Sequence, residues 1–186
     1  SIKGEEVADY SLNYKANGTD VDTATPYFYH TLADNFARAS SASADSYMTK
    51  TETRRDSLTG SLKQVAYYSG KEPGEELIDW SQEYNYDGSK TKTVTIYAYD
   101  TAAGKTDCLR GTTVYTDVKA APITVKPASG DLTTKEKFLK KSFTAYKGDI
   151  KGSEKSDYTV NYRSDGATID TVTTYFYHIA GKDSAN

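Results

Sequence analysis

Short runs of alternating apolar and polar residues, separated by glycine turns, fill most of this 186-residue chain. In Val94-Thr95-Ile96-Tyr97-Ala98-Tyr99, the aliphatic residues occupy one side of an extended backbone and Thr/Tyr the other. That period of two predicts a half-buried strand. Tyr158-Thr159-Val160-Asn161-Tyr162 alternates in the same way, Asp165-Gly166 marks a turn, and Thr171-Val172-Thr173-Thr174-Tyr175-Phe176-Tyr177 predicts a second strand. Asn17-Gly18 and Asp87-Gly88 signal the same turn elsewhere, because such dipeptides tolerate the positive φ of tight hairpins. Val114-Tyr115-Thr116-Asp117-Val118 predicts the last strand of a middle unit, and Ile123-Thr124-Val125, bracketed by Pro122 and Pro127, the opening strand of the final unit. Residues 32–46 are rich in Ala and Ser and read as a linker or a short helix. Thr133 and Glu136 have capping-box spacing, which predicts a short helix to about Lys141 with Phe138 and Leu139 on its apolar side.

The pattern repeats. Residues 2–30 and 150–178 align without a gap and are identical at 16 of 29 positions. Asp9-Tyr10-Ser11-Leu12-Asn13-Tyr14 returns as Asp157-Tyr158-Thr159-Val160-Asn161-Tyr162, and Tyr27-Phe28-Tyr29-His30 as Tyr175-Phe176-Tyr177-His178. A weaker copy lies between them: Asp79-Trp80-Ser81, then Tyr84, Gly88, Thr93, Thr95, Tyr97 and Tyr99. The middle and last copies also agree upstream, where Lys63, Val65, Tyr68 and Gly70 match Lys141, Phe143, Tyr146 and Gly148. A fixed repeat of this kind means one supersecondary unit used several times. Three units are expected: a partial one over 1–38, then 39–120 and 121–186. Since the first begins inside a repeat, the chain reads as a fragment.

Composition narrows the class. Hydrophobic residues make up 37% of the chain and 17 tyrosines supply much of the apolar area. Tyrosine buries a ring while keeping its hydroxyl wet, which suits thin, two-faced sheets. Net charge is −3, and the one lysine cluster, Lys135, Lys137, Lys140 and Lys141, reads as a solvated helix face. No nucleic-acid partner is therefore expected. No run approaches the roughly 18 apolar residues of a membrane span, so no membrane insertion is expected. Cys108 is the only cysteine, which rules out an intrachain disulfide.

Candidate chemistry is sparse. His30 and His178 share a repeat position that Asp100 fills in the middle copy, and no further ligand recurs beside them; a zinc site needs three or four. Asp20, Asp22, Asp165 and Asp170 suggest oxygen ligands for calcium, but Lys90 and Lys92 stand there in the middle copy and favour ordinary turn acids. Cys108 has no nearby histidine, the serines lack a nucleophile-elbow setting, and no phosphate loop occurs. No catalytic residue, metal or cofactor is expected. Two binding readings remain. Trp80 reads as a sugar-stacking platform or, more simply, as core. Tyr27, Tyr29, Tyr97, Tyr99, Tyr175 and Tyr177 read as stripes on one strand face, since alternate residues share a side and tyrosine gives large contact area at low entropic cost.

The shared series Lys-x-(Val/Phe)-x-x-Tyr-x-Gly, Gly-x-Glu, Asp-(Trp/Tyr)-(Ser/Thr), Asp-Gly and Thr-Val-Thr-x-Tyr-x-Tyr resembles the immunoglobulin-like repeats of bacterial cell-surface proteins and adhesins of Gram-positive type. The resemblance implies an all-β chain of tandem immunoglobulin-like β-sandwich modules. Mucus-binding repeats of β-grasp type, with a short helix, are the alternative. It implies a non-enzymatic, extracellular structural or adhesive segment, at the cell surface or secreted, with neighbouring repeats and a host glycan or protein as partners. A carbohydrate- or mucin-binding module, or an accessory domain of a secreted enzyme, are the alternatives. Such modules sometimes carry a lysine–asparagine cross-link; Lys63 and Lys141 with Glu76 and Glu154 are where it would lie, but no matching asparagine recurs.

Overall fold

The computed structural model describes residues 6–102 and 107–178. The repeated Ile2-Lys3-Gly4, Gly104-Lys105 and Gly181-Lys182 lie outside the described residues. The chain is all-β. Among the described residues ten strands run in order as β1 (Tyr10–Tyr14), β2 (Val21–Tyr29), β3 (Met48–Arg55), β4 (Leu62–Ser69), β5 (Leu77–Tyr84), β6 (Thr91–Tyr99), β7 (Leu109–Asp117), β8 (Phe138–Lys147), β9 (Lys155–Tyr162) and β10 (Ile169–Thr174). Each pairs antiparallel with its sequence neighbour, in one sheet of order β1 to β10. An immunoglobulin-like sandwich requires two packed sheets, and that finer expectation is not confirmed by this single one. Pairing continues across both expected unit borders, with β2 on β3 and β7 on β8.

Directly paired residues share a face of the sheet. Tyr67, Trp80, Ile96 and Thr113 lie in one row, and Val65, Gln82, Val94 and Tyr115 in the next. This face is roofed at its centre by two long connections. Residues 118–137, which include a single helical turn α1 (Ser129–Leu132), lay Ile123 and Leu132 on the cluster of Trp80, Val94 and Phe138. Residues 30–47 bring Phe36 edge-on to Tyr67, with ring centroids 6.3 Å apart. The opposite face is more polar and carries Thr25, Thr53, Gln64, Glu83, Thr93 and Thr116, with Thr93 itself buried among its neighbours. An antiparallel sheet with one packed and one solvated face explains the alternation of apolar and polar residues.

Three local expectations are corrected. Residues 133–141 are not a helix: the helical turn ends at Leu132 and β8 begins at Phe138, whose ring packs edge-on to Tyr115 6.4 Å away. Pairing of Asp117, Thr116 and Tyr115 with Phe138, Leu139 and Lys140 outweighs the local capping signal. The lysine cluster therefore has no common helical face: Lys137 pairs with Asp131, while Lys140 stands 5.2 Å over the Tyr162 ring. Ile123-Thr124-Val125 is irregular rather than a strand. The Gln82 side chain replaces the missing strand partner, donating from Nε2 to the Ile123 carbonyl (2.6 Å) and accepting the Ile123 N–H at Oε1 (2.9 Å). Residues 32–46, read as a linker or a short helix, hold a 3-10 turn at Ala39–Ser41 and an isolated bridge from Ala37 to Tyr29.

The repeat is visible as hairpins. β1–β2, β5–β6 and β9–β10 close on the same turn, in which Lys15, Asn85 and Arg163 donate backbone N–H bonds to Asp20, Lys90 and Thr168. Gly18, Gly88 and Gly166 occupy one turn position with φ of 72°, 76° and 68°. Strands β4 and β8 carry the upstream match. The structural unit is thus four strands, β3–β6 and β7–β10, with β1–β2 matching the second half of each.

Candidate functional site

The strongest recurring arrangement on the more polar face is a row of tyrosines on alternate strands: Tyr27 on β2, Tyr68 on β4, Tyr97 on β6, Tyr146 on β8 and Tyr175 just beyond β10. Neighbouring strands are about 4.8 Å apart, so alternate strands set the members roughly 10 Å apart. The intervening strands carry hydroxyls. Tyr27 donates to Ser11 Oγ at 3.0 Å, Tyr97 is hydrogen-bonded to Ser81, Tyr175 to Thr159 Oγ1 at 3.3 Å, and Tyr68 to Thr51 Oγ1 at 3.5 Å. Tyr68 and Tyr146 were missed as candidates although both recur; the signal was their common place in the Lys-x-(Val/Phe)-x-x-Tyr segment.

The second tyrosine of each pair is a strut. Tyr29, Tyr99 and Tyr177 donate their phenol O–H to the backbone carbonyls of Ala8 (2.6 Å), Ile78 (2.9 Å) and Ser156 (2.8 Å). Each ring therefore ties its hairpin together at the end away from the glycine turn. Burial, the main cause, with Tyr97, Asp79 and Glu154 nearby, pushes the Tyr99 phenol up to about 12. Burial likewise raises Tyr29 and Tyr97, the latter against an opposing hydrogen bond from Ser81. These phenols stay protonated well above neutrality.

A third recurring contact joins the two strands of each hairpin. Asn13 and Asn161 donate to the hydroxyls of Thr23 and Thr171 at 3.1 and 3.0 Å, while in the middle copy Thr93 donates to Glu83 at 3.0 Å. The recurring glutamates serve the backbone too: Glu76 accepts the N–H of Met48 and Glu154 that of Leu109, the first residues of β3 and β7. Neither bond involves Lys63 or Lys141, the lysines at which a cross-link of the surface-repeat kind would have lain.

Trp80 stands elsewhere. It is 3% exposed on the roofed face, stacked on Tyr67 with centroids 4.3 Å apart and planes 7° from parallel. Its ring is core and is closed to a sugar. His30 stacks on Tyr47 and bonds Asn35, and it shares no site with His178, which follows β10 at the far edge. Cys108 is buried. Among the described residues, no group of three or more His, Cys, Asp or Glu is placed to hold a metal ion. A cleft of about 300 Å³ beneath residues 118–137 is lined by Ile123, Val125, Pro127 and Phe138. Of the charged groups along it, Lys137 pairs with Asp131, Lys126 pairs with Asp79, and Asp117 accepts from the Thr91 hydroxyl and the amides of Lys119 and Ala120.

No helix among the described residues is long and apolar enough to cross a membrane. No family model, curated protein or solved structure matches the chain.

Proposed function

We propose that this chain is a non-enzymatic structural segment of an extracellular bacterial surface protein, a ribbon of repeated β-hairpins that spaces or presents other parts. From the surface-repeat resemblance this reading takes the role and leaves the two-sheet packing aside. One observation carries it: the residues that persist through the copies serve the scaffold. Tyr29, Tyr99 and Tyr177 bond backbone carbonyls, and Thr23, Thr93 and Thr171 bond the facing side chains Asn13, Glu83 and Asn161 of the neighbouring strand. Conversely, the position of His30 and His178 is Asp100 in the middle copy, and the turn acids Asp20 and Asp22 give way there to Lys90 and Lys92. A sequence that repeats its struts and varies its reactive groups repeats a shape.

A second reading rests on the tyrosine row. Partly exposed rings repeated on every second strand suit contact with an extended polymer such as a linear glycan. A glycan array separates the two. The spacer reading expects no glycan retained above background. Retention that disappears in a Tyr27→Ala, Tyr97→Ala, Tyr175→Ala triple variant with an unchanged circular dichroism spectrum would overturn it in favour of the carbohydrate-binding module.

A further inference from the structure

The outer edge of β10 repeats a position that is filled twice elsewhere in the sheet. β2, β6 and β10 are the second strands of equivalent hairpins, and β2 and β6 each receive the first strand of a four-strand unit, β3 and β7. The reception has a common register. Tyr27 lies opposite Thr51, and its counterpart Tyr97 opposite Thr112. Tyr175 holds that place in the third copy, yet among the described residues no strand pairs with the far side of β10.

Backbone parity shows what this edge offers. The Tyr175 N–H donates to the Asp157 carbonyl at 3.0 Å, toward β9. Successive residues of a strand direct their N–H and C=O groups to opposite sides, so those of Val172 and Thr174 point outward. Thr174 stands where β2 has Pro26 and so presents an N–H that β2 lacks. The side chains tell the same story. Phe28 is covered by Lys50 of the received strand, whose Nζ sits 4.0 Å from the ring centroid. Its counterpart Phe176 is 90% exposed, and every residue of β10 is exposed. Natural sheets usually blunt a free edge with lysine, proline or a covering loop. Asp170 is the only charge on β10.

We infer that the outer edge of β10 is an acceptor for one antiparallel strand of β3 type, with threonine at alternate positions and a lysine or arginine set over Phe176. β3 itself, Met-Thr-Lys-Thr-Glu-Thr-Arg-Arg, has this pattern and defines the recognition. Main-chain hydrogen bonds to Val172 and Thr174 supply attachment, and the threonine opposite Tyr175 and the cation over Phe176 set the register. The acceptor edge is independent of the proposed spacer role, since it rests on strand equivalence alone.

The test uses the whole chain and a synthetic peptide of residues 46–56, with a scrambled peptide of equal composition as control. Amide hydrogen exchange is followed by NMR. The peptide of residues 46–56 is expected to slow exchange of Val172 and Thr174 at least tenfold and to leave the outer amides of β1 unchanged. The scrambled peptide is expected to do nothing. Val172→Pro removes one outward donor at an edge position where proline is tolerated, so it should abolish the effect with an unchanged circular dichroism spectrum. Phe176→Ala lies outside the strand ladder and should weaken peptide binding at least threefold, guarding against a Val172→Pro variant that fails to fold. Equal protection by both peptides, or none by either, would overturn the inference. So would concentration-dependent protection of Val172 and Thr174 in the chain alone, which would make a second copy the occupant.

Discussion

Gln82 shows how one residue adapts a repeated unit to its local surroundings. Its counterparts are Leu12 and Val160, both apolar. In the middle hairpin the same side chain lies under residues 118–137 and is fully buried, where it satisfies both backbone groups of Ile123. Gln82→Leu restores the apolar type but leaves an N–H and a C=O beneath the roof without their partner. That should cost about 1–3 kcal/mol in urea unfolding, the usual penalty for orphaning buried polar groups. An unchanged midpoint would mean that water replaces the amide. Tyrosine ionisation gives a second expectation at this scale. Burial first, then Tyr97, Asp79 and Glu154, lift the Tyr99 phenol to about 12 from 10.0. Burial raises Tyr67, Tyr84 and Tyr115 in the same direction. The folded chain thus holds these protons more tightly than the unfolded chain does. The Tyr99 contribution is intact below about pH 10 and is lost as pH climbs through its folded value near 12, and the other three phenols act in the same direction. Urea midpoints should be flat up to about pH 10 and then fall, in step with tyrosinate absorbance. A midpoint that stayed level to pH 12 would contradict this picture.

At the level of elements, the hairpin turns separate local from neighbouring demands. Gly18, Gly88 and Gly166 all have positive φ, so alanine at any of them costs roughly 1–2 kcal/mol in backbone strain. Their surroundings differ. A Cβ at Gly88 would lie 2.6 Å from Leu62 N and one at Gly166 2.9 Å from Lys140 N, whereas one at Gly18 meets nothing within 4 Å. Thermal unfolding should therefore rank Gly88→Ala and Gly166→Ala as clearly more damaging than Gly18→Ala; equal losses would show that φ alone matters. The same elements show what was legible. The alternation of Val94, Ile96 and Ala98 with Thr95, Tyr97 and Tyr99 marked β6, and the Asn-Gly and Asp-Gly dipeptides marked the three turns, because both signals are local. Residues 133–141 misled because Thr133 and Glu136 speak only for their own turn, while Phe138 is claimed by Asp117 and by the Trp80 cluster. Trp80 read more simply as core, but the platform stayed open, since one sequence position cannot say which face of a sheet will be roofed. Tyr68 and Tyr146 joined the row only when strand order brought alternate strands into line.

Across the whole molecule, stability should follow the roof. Apolar burial is concentrated where residues 30–47 and 118–137 meet the sheet: Val65, Trp80, Gln82 and Val94 are buried on β4, β5 and β6, while β10 has no buried residue and β1 none either. Each strand touches only its sequence neighbours, so the outer hairpins lack the contacts that cover the centre. Local opening free energy falls with loss of buried apolar contact and with exposure of backbone hydrogen bonds. Native-state hydrogen exchange should therefore give its slowest amides in β5 and β6, intermediate values in β3, β4, β7 and β8, and the fastest paired amides in β1, β9 and β10. Gln82→Leu, which loosens the roof from within, should compress this range by speeding β5 and β6 while leaving β1 and β10 as they were. A sheet that instead exchanged with one common free energy from β1 to β10 would be a single cooperative body. Its stability would then be carried by the strand ladder and not by the two connections laid across it.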